Sequence, residues 1–287
     1  MTSPTHPLRN RFLRTVTLAA ATCAVLAGGA GPVVAAPKAP LAYVALGDSY
    51  ASGFGAGSYV NACGQSPLGL PGILDGKKQV ELVADATCAG AKVATEPGGA
   101  LDLPEQVTRA RAAGALSPST DLVTISAGGN DAGFGEAAGV CATQPAPVCA
   151  QFVAGQNAAS LPVLALNLDA LYKSIKAAAP NATVVVTGYP HLFSPEFGNP
   201  MIPVASQTAF NAGTDSLNTV IRQQATANGF TFVDLVPKFE GHGLGSPSPW
   251  ITFRAGAADN LHPTAEGYKS GYFPAVRSAV NFAQLQR

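Results

Sequence analysis

Five short apolar runs punctuate the chain between residues 43 and 233. Tyr43 to Leu46 stops at Gly47, Val80 to Val83 is a weaker run, and Leu122 to Ser126 leads to Gly128-Gly129. Thr183 to Thr187 runs into Gly188-Tyr189-Pro190, and Phe230 to Val233 ends at Asp234. Apolar residues at consecutive positions suit strands buried on both faces. Between the runs the period lengthens. Leu164, Leu168, Leu171 and Ile175 fall at helical spacing within Leu161 to Ala179, which Pro180-Asn181 closes. Phe210 to Ala227 places Leu217, Val220 and Ile221 on one face before Asn228-Gly229, and Thr264 suits the N-cap of a last helix ending near Phe282. Ser66 to Gly76 and Gly241 to Pro249, rich in Gly and Pro, read as surface loops. Strands alternating with helices predict an α/β fold, a doubly wound, flavodoxin-like parallel sheet of about five strands with helices on both faces. Such sheets bind ligands beyond the carboxyl ends of their strands. The residues that directly follow each run are therefore the candidates for chemistry.

The first forty residues change the picture of what folds. Arg9, Arg11 and Arg14 precede an apolar stretch from Val16 to Ala30, followed by Val33-Val34-Ala35-Ala36. That order predicts a secretory signal peptide over residues 1–36, cleaved near Ala35/Ala36. Its apolar core, about 15 residues, falls short of the roughly 20 that span a bilayer, so stable membrane insertion is not expected. Residues 37–287 then suit a single α/β domain, expected to be extracellular and monomeric. Of 17 basic residues three lie in the leader, leaving 14 against 17 acidic ones. A chain this close to neutral lacks the basic stripe that follows phosphates, which excludes nucleic acid as a partner.

Cys23 lies in the leader, so four cysteines remain: Cys63, Cys88, Cys141 and Cys149. An even number in an exported protein reads as two disulfides, with three connectivities open. Pairing neighbours, Cys63–Cys88 and Cys141–Cys149, is favoured because each pair brackets one loop-like stretch. No C-x-x-C and no histidine stands at ligand spacing, so neither a metal nor another cofactor is expected.

Four blocks carry the candidate chemistry: Gly47-Asp48-Ser49-Tyr50, Cys88-Ala89-Gly90-Ala91, Gly128-Gly129-Asn130-Asp131 and Asp259-Asn260-Leu261-His262-Pro263. The first three follow the first three strands. A serine hydroxyl is a weak nucleophile and needs a base to take its proton. Of four histidines, His6 lies in the leader, while His191 and His242 read as structural or substrate-loop residues. His262 has Asp259 three positions earlier, a spacing that lets a carboxylate reach Nδ1 and leave Nε2 free to accept a proton. Asp48 and Asp131 read as residues that hold loops together. No G-x-S-x-G elbow occurs, which disfavours the other large serine esterase fold.

Taken together and in this order, the blocks resemble the SGNH hydrolases, also called GDSL lipases or esterases, and most of all the exported actinobacterial members. The resemblance implies Ser49 as nucleophile and His262 as base, with Asp259 as the acid orienting it, although some members orient the histidine by a backbone carbonyl instead. It also implies an oxyanion hole built from the Ser49 N–H, the Gly90 N–H and the Asn130 side-chain amide. The implied activity is hydrolysis of carboxylic esters through an acyl-enzyme, as a lipase or esterase on acyl chains, with an ester substrate, lipid or small, as the partner. Alternatives are a phospholipase or acyltransferase, an acetyl or feruloyl esterase on plant polysaccharide, or a non-catalytic carbohydrate- or lipid-binding relative. Substrate preference is expected to lie in Ser66–Gly76, Gly135–Gly155 and Leu192–Val204. The actinobacterial members usually carry a third disulfide, after the Gly188-Tyr189-Pro190 turn and near Gly241-His242-Gly243. Both places lack cysteine here, which predicts a looser loop.

Overall fold

The computed structural model describes residues 38–98, 101–198 and 201–285; the expected leader and its cleavage site lie outside the described residues. Five parallel strands, β1 (Leu41–Gly47), β2 (Val80–Asp85), β3 (Leu122–Ser126), β4 (Thr183–Thr187) and β5 (Thr231–Val233), pair in the order β2-β1-β3-β4-β5. This is the flavodoxin-like order, and the five apolar runs supply its strands to within a few residues at each end. β3 is buried along its whole length, and β1 and β4 almost so, because helices cover the sheet. Edge strand β2 alternates exposure instead.

The helices depart further from the expectations. The segment expected from Leu161 is the second half of α5 (Ala146–Ala178), which runs straight through Pro162. Proline normally marks a helix start, because its nitrogen has no proton for the ladder and its ring clashes with the preceding turn. Here Cys149 and Val153 are buried before the proline, and Leu164, Leu168, Leu171, Tyr172 and Ile175 after it, so packing holds both halves in the helix. Its neighbour α6 (Val204–Ala227) begins six residues before Phe210.

Shorter helices form where loops or no element were expected. They are α1 (Ser49–Ser52), α2 (Leu70–Asp75) inside Ser66–Gly76, α3 (Leu103–Ala112) and α4 (Phe134–Thr143), with α7 (Val236–Phe239) following β5. Residues 135–155, expected as a specificity loop, are mostly α4 and the start of α5. Disulfide Cys141–Cys149 joins those two helices, and Cys63–Cys88 joins the α1–α2 connection to the end of β2. Both follow the neighbour pairing.

The last helix differs as well. Thr264 Oγ1 accepts the Gly267 N–H, but Gly267–Tyr272 is π-helical before α8 (Phe273–Ala279). A Cβ at Gly271 would lie 2.4 Å from the Phe239 ring, so this turn passes against a side chain that only glycine admits. The loop expected to be loose is instead paired. Phe193 and Leu244 form a parallel bridge, the Ser194 N–H donates to the Leu244 carbonyl (3.0 Å), and the Leu244 N–H donates to Leu192 (2.7 Å). Backbone hydrogen bonds join the segments that the actinobacterial members usually link by a third disulfide.

Candidate active site

The carboxyl ends of β1 and β3 and the loop that carries His262 deliver three of the four blocks to one cleft of about 110 Å³, lined by Ser49, Asn130, Phe134, Tyr189, Leu261 and His262 among others. Gly47 ends β1 at φ +132°, where a Cβ would lie 2.3 Å from the Ser126 carbonyl oxygen. Glycine lets the chain turn sharply there. Asp48 then caps α1, its carboxylate accepting the Tyr50 N–H at 2.9 Å, and Ser49 opens the helix. Ser49 Oγ lies 2.7 Å from His262 Nε2. That is the contact through which an imidazole takes a hydroxyl proton.

His262 reaches this position on a short antiparallel excursion. Ile251 and Pro263 form a bridge, the Thr252 N–H donates to the His262 carbonyl (2.7 Å), and the Leu261 N–H donates to the Thr252 carbonyl (2.8 Å). Leu261 adopts φ +66°, a left-handed conformation that is uncommon for a branched side chain. The Tyr50 hydroxyl, on the helix that Ser49 opens, donates to the Leu261 carbonyl. The rings of Tyr50 and Phe54 lie 4.9 and 5.0 Å from the imidazole. Burial among them lowers the His262 pKa from 6.5, against hydrogen bonds to the Asn260 and Asp259 carbonyls and the Asp259 charge, which raise it. The imidazole is thus neutral, and able to accept a proton, at neutral pH.

The expected acid does not face the imidazole. His262 Nδ1 lies 2.8 Å from the backbone carbonyl of Asn260, and the Asp259 carboxylate turns the other way. Arg254 Nη2 donates to both Asp259 oxygens, at 2.6 and 2.7 Å, and the Tyr59 hydroxyl donates to Oδ2. Burial would raise the Asp259 pKa, but these two donors and the guanidinium charge outweigh it and hold the carboxylate below its ordinary range. The physical cause lies in the turn. Asn260 Oδ1 accepts the Arg254 N–H and Asn260 Nδ2 donates to the Arg254 carbonyl, both at 2.6 Å. That clamp brings the guanidinium against Asp259 and points the Asn260 carbonyl at the histidine. A carbonyl holds the same Nδ1–H tautomer as a carboxylate, but carries no full charge to stabilise an imidazolium.

Of the expected oxyanion donors, Ser49 and Asn130 line the same cleft, and Gly90 lies in the turn next to the Asn130 amide. Asn130 Nδ2 donates to the Ala91 carbonyl at 2.8 Å, which fixes the amide beside the Gly90 turn and uses one of its two N–H groups. Gly90 has φ +85°, a conformation that strains any residue with a Cβ. Asp131 accepts the Val93 N–H at 3.1 Å, so Asp131 and Asp48 both hold loops. The other histidines stand elsewhere: His191 Nε2 pairs with Asp215 (2.8 Å), and His242 stacks on Trp250 with ring centroids 3.6 Å apart.

Reading by sequence missed Tyr50, Tyr189, Tyr59 and Arg254. The first two sit in blocks already singled out, as Asp-Ser-Tyr and Gly-Tyr-Pro. Nothing local marks Tyr59 or Arg254.

The sequence matches the model of the GDSL-like lipase/acylhydrolase family over residues 45–270. It is 38% identical to Lipase 1 of Streptomyces coelicolor over 94% of this chain and 97% of that protein. The structure is similar to the extracellular lipase of Streptomyces rimosus, with TM-score 0.73 and 35% identity, covering 83% of this chain and 99% of that one. It is also similar to phospholipase A1 of Streptomyces albidoflavus, with TM-score 0.74 and 32% identity, covering 85% of this chain and all of that one.

Proposed function

Because this chain belongs to the GDSL-like lipase/acylhydrolase family and is a carboxylic ester hydrolase, we propose that Ser49 and His262 perform its chemistry as a dyad oriented by a backbone carbonyl. The observation that carries this reading is the chain of contacts from Ser49 Oγ to His262 Nε2, and from Nδ1 to the Asn260 carbonyl. His262 takes the Ser49 proton as Oγ attacks the ester carbonyl. The N–H groups of Ser49 and Gly90 and the second amide N–H of Asn130 receive the negative charge that develops on the carbonyl oxygen. The tetrahedral intermediate collapses to an acyl-Ser49, and the departing alkoxide takes the proton from His262. Water, deprotonated by the same imidazole, then releases the acid and restores Ser49.

Ser49→Ala is expected to lower ester hydrolysis by at least a thousandfold with the fold intact, and to abolish covalent labelling by a fluorophosphonate. Activity above a few per cent of the parent's, with contamination excluded, would remove Ser49 from this role.

We propose a lipase or esterase acting on acyl chains, monomeric and exported after cleavage near Ala35/Ala36 to leave residues 37–287 as one domain. The two disulfides and the extracellular S. rimosus relative support export. A phospholipid substrate is the second reading, favoured by the similarity to a phospholipase A1. Comparing phosphatidylcholine with triglyceride and p-nitrophenyl esters separates the two.

A further inference from the structure

One buried oxygen touches two of the catalytic blocks at once. The Tyr189 hydroxyl, at the end of β4, donates to Asp48 Oδ2 and accepts the Gly129 N–H at 2.9 Å. Asp48 is the cap that precedes Ser49, and Gly129 immediately precedes Asn130. The fourth block, that of His262, is reached through the ring, which packs edge-on against Tyr50 with centroids 5.0 Å apart. Tyr50 in turn contacts the His262 ring and donates to the Leu261 carbonyl. Tyr189 is itself held from outside the site. Asn218, in α6, accepts its N–H and donates to its carbonyl, both at 2.8 Å. Tyr189 and Asp48 are each about 1% exposed, so water is not at hand to replace a lost bond.

The geometry points to Tyr189 as a positioning residue that fixes the nucleophile's turn to the oxyanion loop through its hydroxyl. The inference rests on the proposed roles of Ser49 and Asn130 and goes beyond them. β1 and β3 are neighbours in the sheet, and at their carboxyl ends the Asp48 N–H donates to the Ser126 carbonyl at 2.9 Å. Beyond that bond the Tyr189 hydroxyl forms a second tie, from the Asp48 carboxylate to the Gly129 N–H. The hydroxyl does this with one donor and two lone pairs, and it is the only part of the side chain that phenylalanine lacks. An oxyanion hole acts by preorganisation, so a displacement of about 1 Å between nucleophile and donors costs on the order of 10²-fold in rate. Substrate binding depends far less on that alignment.

The test is Tyr189→Phe in the full-length mature enzyme on a soluble p-nitrophenyl ester, with Ser49→Ala alongside and thermal unfolding as the check on folding. The expected result is a kcat loss of about 10- to 100-fold with KM changed less than about threefold. A cycle with Asp48→Ala adds a readout that a merely structural role would not move. Once Asp48 is gone the bridge is already broken, so adding Tyr189→Phe should cost no more than about threefold further. A kcat loss below fivefold in Tyr189→Phe, or losses that multiply in the double variant, would overturn the assignment. Should Tyr189→Phe fail to fold, Asn218→Ala frees the Tyr189 backbone without touching the hydroxyl. A kcat loss of threefold or more at constant KM would then support the inference, and a smaller one would overturn it. If Ser49→Ala remains active, the dyad itself fails, which this design distinguishes from failure of the bridge.

Discussion

At the scale of single residues, the decisive contact is between His262 Nδ1 and the Asn260 carbonyl. Asp259 stands within three positions of the base, yet Arg254 and Tyr59 occupy its carboxylate. In serine proteases the acid both sets the tautomer and stabilises the imidazolium, and its amide replacement costs about 10⁴-fold in kcat. Here a carbonyl sets the tautomer. Asp259→Asn is accordingly expected to lower kcat by less than about tenfold, measured on a short ester with folding verified. A loss of 10²-fold or more would mean that Asp259 turns toward His262 during turnover. The same variant bears on pH. Burial keeps the folded His262 pKa below 6.5, and only the neutral imidazole accepts a proton, so kcat/KM should fall as pH drops through a value below 6.5. Asp259 raises the His262 pKa, so its neutral replacement should move that acid limb slightly further down. The linked stability has the same sign. A depressed pKa contributes stability above the unfolded value and loses it as pH falls through the folded one. Asp48 has the opposite sign. Burial raises it to about 7 despite the bonds from Tyr189 and Tyr50, so its ionisation opposes folding as pH rises from about 4 toward 7.

At the scale of elements, α5 shows where periodicity misleads. From Leu164 to Ile175 the buried stripe was plain in the sequence, while residues 146–160, with many small and polar side chains, present almost no stripe. Pro162 then looked like a natural beginning. The helix nevertheless extends through it, at the cost of one ladder hydrogen bond and a steric clash, together worth about 3 kcal/mol in an unconstrained helix. Proline recovers part of that by stiffening the unfolded chain, about 0.4–1 kcal/mol. Pro162→Ala should therefore stabilise the protein by roughly 2–2.6 kcal/mol in urea unfolding, with activity unaffected, because α5 lies outside the cleft. Destabilisation would show that the helix depends on a bend the proline sets. α1 is the opposite case. Four residues cannot hold a helix by propensity, and it exists because Asp48 caps it and the sheet buries it.

At the scale of the whole molecule, the two disulfides separate stability from function. Closing 25- and 8-residue separations contributes roughly 3.5 and 2.5 kcal/mol in the chain-entropy account. Cys63–Cys88 also holds the turn that carries Gly90, since the Ala89 N–H donates to the Cys63 carbonyl at 2.9 Å. Cys141–Cys149 joins two helices outside the cleft. Replacing either pair by serine should lower the unfolding midpoint. Only loss of Cys63–Cys88 should also lower kcat, and equal kcat in the two variants would show that Gly90 needs no such support. Much of this architecture could be read from the chain itself. Five apolar runs set the parallel sheet, because burial on both faces demands consecutive apolar residues. The glycines, serine and asparagine of the first three blocks stood out because they follow strands, and His262 because Asp259 stands three positions before it. What the sequence could not decide was orientation across a turn. Whether Asp259 or the Asn260 carbonyl meets His262 depends on an arginine five residues away and a tyrosine 200 residues away, both competing for one carboxylate. The link from Tyr189 to Asp48 and Gly129 likewise exists only once three strands lie side by side. Local spacing determines which groups are within reach, and the hydrogen bonds each finally makes are settled by the partners that tertiary packing brings.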